Sequence, residues 1–227
     1  MKKLVLFDID GTILSTGGVG TRSMLWALKA VSGRQVAVED GYSMSGKTDA
    51  QIVMELLEGA GIGREETLSK LERIWMIYSA KLEREIRTCS PTVHPGVPEL
   101  LARLQPDVLL GLLTGNMERA AWTKVGRVGL DRYFRLGAFG DKAPERRLLP
   151  EVAVREAEAL VGRRFVGGEI VIIGDTPNDI LCGRHLLVKA VAVATGSYSA
   201  EELAEYEPDY LFETLCDTTR AAEAILS

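Results

Sequence analysis

Leu4-Val5-Leu6-Phe7-Asp8-Ile9-Asp10-Gly11-Thr12 decides how the rest of the chain is read. Four consecutive apolar residues bounded by polar ones predict a short strand buried on both faces of a parallel sheet. Two carboxylates, two residues apart, follow that strand directly. Side by side they repel and lose hydration, which is costly unless a cation or a chemical task compensates. In open parallel sheets, ligands bind outside the carboxyl ends of the strands. Asp8 and Asp10 therefore mark a candidate site.

Two further apolar runs repeat the pattern. Val108 to Leu113 leads into Thr114-Gly115-Asn116, and Ile170 to Ile173 leads into Gly174-Asp175-Thr176-Pro177-Asn178-Asp179. Ala190 to Ala194 and Tyr210 to Phe212 read as weaker strands. Helical periodicity lies between them at Val97 to Arg103, Arg119 to Val128, Leu149 to Leu160 and Ile180 to Leu186. Alternating strands and helices predict an α/β protein with a parallel sheet and right-handed crossovers.

From about Thr16 to Thr92 that rhythm stops. Three helical patterns take its place, at Gly20 to Ser32, Asp49 to Gly59 and Glu65 to Ile86, with only a weak strand pattern at Gln35 to Val38. Leu68, Leu71, Trp75 and Tyr78 recur at three and four, so the last helix has a face to bury. The expected organisation is an α/β core of residues 1–15 and 93–227 with a helical cap at 16–92. Gly17, Gly18 and Gly20 mark one joint, and Pro91, His94-Pro95-Gly96 and Pro98 the other.

Carboxylates from two strand ends, 167 residues apart between Asp8 and Asp175, describe a site for a hard cation. Oxygen donors without nearby His or Cys suit Mg²⁺. The hydroxyl of Thr114, the backbone amides at Gly115 and the amide of Asn116 form an anion cradle at a helix N-terminus.

These motifs resemble those of the haloacid dehalogenase-like hydrolases. Asp-Ile-Asp-Gly-Thr at 8–12, Leu-Leu-Thr-Gly-Asn at 112–116 and Gly-Asp-Thr-Pro-Asn-Asp at 174–179 match three of the family's four motifs in order and placement. The resemblance implies a Rossmann-like core with an inserted all-helical cap. The second aspartate places it with the phosphatases, and the early cap with Gly46-Lys47-Thr48-Asp49 is similar to phosphoglycolate-phosphatase-like enzymes. It implies Asp8 as nucleophile and Asp10 as general acid and base. It implies Asp8, the Asp10 carbonyl and Asp175 as Mg²⁺ ligands, with Asp179 ligating or orienting. Thr114, Gly115 and Asn116 would hold the phosphoryl oxygens together with a basic residue. The candidates are Lys142, Arg146 and Arg147, and the resemblance favours Arg146, with Lys142 in reserve. Lys47 would reach from the cap toward a substrate anion.

Gly41 to Thr48 also fits the phosphate-loop pattern of nucleoside triphosphatases, but the segment before it is a poor strand and carries Glu39-Asp40. The remaining alternatives are a phosphomutase of the β-phosphoglucomutase type and a catalytically silent binding domain. Net charge is −5, from 27 basic and 32 acidic residues, which disfavours a nucleic-acid partner. Cys89, Cys182 and Cys216 are too few and too scattered for a disulfide framework, and fit a reducing cytoplasm. Asp8 and Asp10 cut the N-terminal apolar run too early for a signal peptide, and no stretch is long enough to span a membrane. Trp26, Trp75 and Trp122 sit in helical patterns and read as packing residues.

Overall fold

A computed structural model describes residues 2–227. Its centre is a six-stranded sheet in the order β5-β4-β1-β6-β7-β8, and every pairing in it is parallel. These strands are β1 (Leu4–Phe7), β4 (Leu109–Thr114), β5 (Gly137–Phe139), β6 (Ile170–Gly174), β7 (Lys189–Val193) and β8 (Tyr210–Phe212). All four residues of β1 are fully buried. Val5 and Phe7 join one hydrophobic cluster and Leu4 and Leu6 another, because alternate side chains enter opposite faces. That is why the run is continuously apolar instead of alternating.

Helices cover the sheet: α4 (Val97–Leu104), α5 (Glu118–Arg127), α6 (Leu149–Val161), α7 (Pro177–Cys182), α8 (Ala200–Ala204) and α9 (Thr218–Leu226). Two departures from the sequence reading stand out. The helix expected at Ile180 to Leu186 begins at Pro177, stops at Cys182 and passes through Gly183 into a separate 3₁₀ turn at Arg184–Leu186. Strand β5 and helix α8 are too short to be read from sequence, and helix α9, whose buried Ala221, Ala222 and Ile225 do repeat at three and four, is a further element the sequence reading missed.

Three helices, α1 (Val19–Ser32), α2 (Asp49–Gly59) and α3 (Arg64–Thr88), lie between two short antiparallel strands, β2 (Leu14–Ser15) and β3 (Thr92–Val93). They share their own apolar cluster, with Leu28, Val53, Leu57, Ile74 and Leu82 fully buried. Residues 35–38 form no strand. Trp75 and Trp122 pack as expected, but Trp26 is half exposed, with the Lys81 ammonium over its ring.

Candidate active site

Strand order creates the site. β1 lies between β4 and β6, with Phe7 level with Leu112 on one side and Ile173 on the other. The residues just beyond are Asp8, Thr114 and Asp175, which therefore meet at one point of the sheet edge. The Asp8 amide continues the ladder by donating to the Ile173 carbonyl at 2.9 Å.

Asp8 is buried, and its Oδ1 accepts from Arg146 Nη2 at 2.8 Å. The same nitrogen donates to Asp179 Oδ1. Arg146 opens a 3₁₀ turn, Arg146–Leu148, that leads into α6, and the turn points the guanidinium inward. Lys142 instead pairs with Glu118 at 2.7 Å on the half-exposed rim. Asp179 has its other oxygen engaged by the Thr176 amide at 3.0 Å and hydroxyl at 2.6 Å, a capping box at the start of α7. Asp175 accepts from the Thr12 hydroxyl at 2.9 Å.

Oxygen atoms of Asp8, Asp175 and Asp179 come within 4.8 Å of one another. Burial, followed by the opposing Arg146 charge and the neighbouring carboxylates, leaves the Asp8 carboxyl raised to about 7. Burial and the charges of Asp8 and Asp179 lift Asp175 to about 8. Burial opposes the charge on Arg146, but Asp179 and Asp8 hold it firmly protonated. Three buried carboxylates against one guanidinium leave negative charge uncompensated. An all-oxygen donor set with that excess fits a divalent hard cation such as Mg²⁺.

Asp10 differs from its neighbours: 43% of its side chain is exposed, and it opens on a cavity of about 280 Å³ between sheet edge and helices. Its Oδ2 accepts from Asn116 Nδ2 at 2.8 Å and from Lys124 Nζ at 2.5 Å. Asn116 Nδ2 also donates to Thr114 Oγ1 at 2.8 Å, and its Oδ1 accepts from Lys124 at 2.6 Å. Lys124 escaped the sequence reading. Its signal was a lysine on the apolar face of α5, one turn after the buried Ala120 and Ala121.

The Gly46 to Asp49 segment, which mimics a phosphate loop in sequence, lies against three core loops. Asn178 Nδ2 donates to the Gly46 carbonyl at 2.9 Å, Thr48 Oγ1 to the Pro144 carbonyl at 2.8 Å, and the Asp49 amide to the Gly115 carbonyl at 2.6 Å. The Asp49 carboxylate accepts from the Met117 amide at 2.8 Å, next to the start of α5. The approach requires Gly115: a Cβ there would lie 2.0 Å from the Lys47 carbonyl oxygen. Lys47 lines the cavity with its ammonium on Glu55 at 2.6 Å and over the Tyr42 ring at 4.1 Å. No strand precedes this loop and helix α2 is capped by Thr48 itself, so the phosphate-loop context is missing.

A parallel α/β sheet with an acidic, arginine-bearing site at its carboxyl edge and a helical insert after the first strand defines a hydrolase architecture. The sequence profile of the haloacid dehalogenase-like hydrolases matches residues 2–186, and the chain belongs to that family. It is 26% identical over 238 residues to phosphoglycolate phosphatase 1 of Pseudomonas aeruginosa, covering 100% of this chain and 83% of that protein. It is 24% identical over 214 residues to pyrophosphatase PpaX of Anoxybacillus flavithermus, covering 94% and 93%. The fold also superposes on β-phosphoglucomutase from Clostridium difficile with a TM-score of 0.73 at 18% identity, over 100% and 97% of the two chains. Within the family, the curated relatives place the chain with the phosphatases. No helix among the described residues is long and apolar enough to cross a membrane.

Proposed function

We propose that the protein is a Mg²⁺-dependent phosphatase that hydrolyses a small phosphate monoester through an aspartyl-phosphate on Asp8, with phosphoglycolate the first substrate to test. The observation that carries this reading is the contrast between two aspartates two residues apart. Asp8 is buried against Arg146 and the acidic cluster, whereas Asp10 opens on the cavity. One position suits a nucleophile and the other a proton carrier.

Asp8 Oδ attacks phosphorus in line with the ester oxygen, and the phosphorus–oxygen bond to the alcohol breaks. Asp10 gives its proton to the departing oxygen and then takes one from the water that hydrolyses the acyl phosphate. The Thr114 hydroxyl, the backbone at Gly115 and Asn116, and Arg146 hold the phosphoryl oxygens as charge spreads. Asp8, the Asp10 carbonyl and Asp175 would hold Mg²⁺, and Asp179 would ligate it or fix its surroundings while orienting Arg146. Bound there, the ion screens the repulsion between carboxylate nucleophile and phosphate dianion. Residues 16–92, with helices α1 to α3, act as a lid over the site that excludes water, and Lys47 faces the substrate from it.

Hydrolysis is favoured over phosphomutase chemistry because a mutase must hold a second phosphoryl group. The lid's Lys47 is already neutralised by Glu55, and the cavity is small. The test is phosphate release from para-nitrophenyl phosphate and a panel of short-acid and sugar phosphates, with Mg²⁺ or with chelator. Mg²⁺-dependent release that Asp8→Asn abolishes is the expected result. A folded protein that releases no phosphate from any ester overturns the reading.

A further inference from the structure

Beyond Asp10, the cavity holds a group of donors that the chemistry above does not use. Lys124 Nζ has 4% of its side chain exposed and two protein partners, Asp10 and Asn116, which leaves one of its three N–H donors unspent. Tyr78, on α3, is 1% exposed and lines the same cavity, and its hydroxyl has no hydrogen-bond partner among the described residues. Burial, with Asp49 and Asp10 nearby, pushes its pKa well up, so the hydroxyl stays a neutral donor. Helix α1 begins beside both. Gly18 caps it without a side chain, its first turn holds no acidic residue, and Gly20 and Thr21 line the cavity with no acceptor for their amides.

Gly20 shows that these donors converge. A Cβ built there would lie 3.3 Å from Lys124 Nζ and 3.9 Å from Tyr78 Oη. The missing side chain lets the positive end of a 14-residue helix come into contact with an ammonium and a phenol, and all three line the one cavity. Two carboxylates also face Lys124. Asp49 is spent on the Met117 amide, and burial lifts its carboxyl to about 7. Asp10 takes one of the three ammonium protons.

We infer that Lys124, the Tyr78 hydroxyl and the first-turn amides of α1 form a subsite for a carboxylate carried by the alcohol portion of the substrate. This rests on the phosphatase reading above, and it makes a phosphorylated 2-hydroxy acid the substrate class. An ester with a carboxylate on the carbon that bears the bridging oxygen carries both charges into one cavity, which Asp10, Thr114 to Asn116 and Gly20 all line.

The experiment compares kcat/KM for 2-phosphoglycolate with that for ethyl phosphate, which carries a methyl group in place of the carboxylate. Para-nitrophenyl phosphate with Mg²⁺ serves as the separate check on the phosphatase reading. The native enzyme is expected to prefer phosphoglycolate by on the order of 100-fold, the strength of one charge-assisted set of bonds. Lys124→Met and Tyr78→Phe should shrink that ratio, mainly through KM for phosphoglycolate. Gly20→Ala keeps every donor, favours the helix and puts a methyl 3.3 Å from Lys124 Nζ at the cavity wall, so it should shrink the ratio even where Lys124→Met folds poorly. If the nitrophenyl ester is hydrolysed but the ratio is near one, or is unmoved in Gly20→Ala and Tyr78→Phe, the subsite is overturned and the phosphatase stands. A stronger preference for a bisphosphate than for phosphoglycolate overturns the carboxylate assignment. No release from any ester overturns both readings.

Discussion

Arg146 Nη2 lies 2.8 Å from Asp8 Oδ1 and also bonds Asp179, so one guanidinium joins the ends of β1 and α7 from a turn 138 residues beyond Asp8. Both bonds leave the same nitrogen, and the buried Nε has no hydrogen-bond partner among the described residues. Lys142, four residues earlier, spends its charge on a rim glutamate.

The two basic residues should therefore behave very differently. Arg146→Ala should lower kcat by about 10²–10³, as removal of a phosphoryl-holding donor does. It also leaves buried carboxylates without their partner, so the melting temperature should change as well. Lys142→Ala breaks a pair with both members about half exposed, and should alter stability by less than about 0.5 kcal/mol. Steady-state kinetics and thermal melts check both, and equal effects would reverse the assignment.

Without metal, stability should fall as pH rises. Burial raises Asp8 to about 7 and Asp175 to about 8, from an unfolded value near 3.8. The folded state thus holds more protons than the unfolded chain between those limits, and its stability declines with pH across that window. On the proposed reading Mg²⁺ would bind the ionised carboxylates, so its affinity should rise over the same range. Melting curves in chelator and in Mg²⁺ at pH 5 and pH 8 should diverge most at the higher pH. Asp175→Asn should flatten the chelator curve and weaken the Mg²⁺ effect.

Gly115→Ala should prise the lid from the core. The added methyl would sit 2.0 Å from the Lys47 carbonyl oxygen, a backbone atom with little room to yield. A radius of gyration above the native value in X-ray scattering and a kcat/KM at least about 10-fold lower are expected, since closure completes the site. Thr48→Val removes both the bond to Pro144 and the α2 cap, and should cost about 1 kcal/mol with a milder kinetic effect.

Asp10→Asn should show its role through the leaving group. A general acid contributes about 10²–10⁴ when the departing oxygen needs a proton. The loss should be large for an alkyl phosphate and much smaller for para-nitrophenyl phosphate, whose phenolate leaves unaided. Equal losses in kcat on both esters would instead place its weight on the shared hydrolysis of the acyl phosphate, and equal losses in kcat/KM would assign Asp10 to structure or metal binding.

The α/β class was legible because buried parallel strands must be apolar on both faces, a pattern Leu4–Phe7 and Ile170–Ile173 carry without ambiguity. Helix α2 was legible to the residue, Asp49–Gly59, from its periodicity, and the structure adds the Thr48 cap at its start. Short elements were not. β2 and β3 are two residues each and exist only because residues 14–15 and 92–93 pair across the lid's base. The break at Gly183 likewise follows from close packing: a Cβ there would lie 2.2 Å from the Val188 side chain and 2.8 Å from Ile172.

By itself, then, the sequence determined which strands end in carboxylates, that a helical unit interrupts the core, and which family the motifs resemble. Those properties are local or periodic, so they survive in one dimension. Only the tertiary structure decided which basic residue faces Asp8, that the Gly46–Asp49 loop is a docking strap, and that Lys124, Tyr78 and Gly20 share one corner of the cavity. Those relationships join α5, α3 and α1 across gaps of tens of residues. Their spacing carries no period, because packing between separate elements sets it.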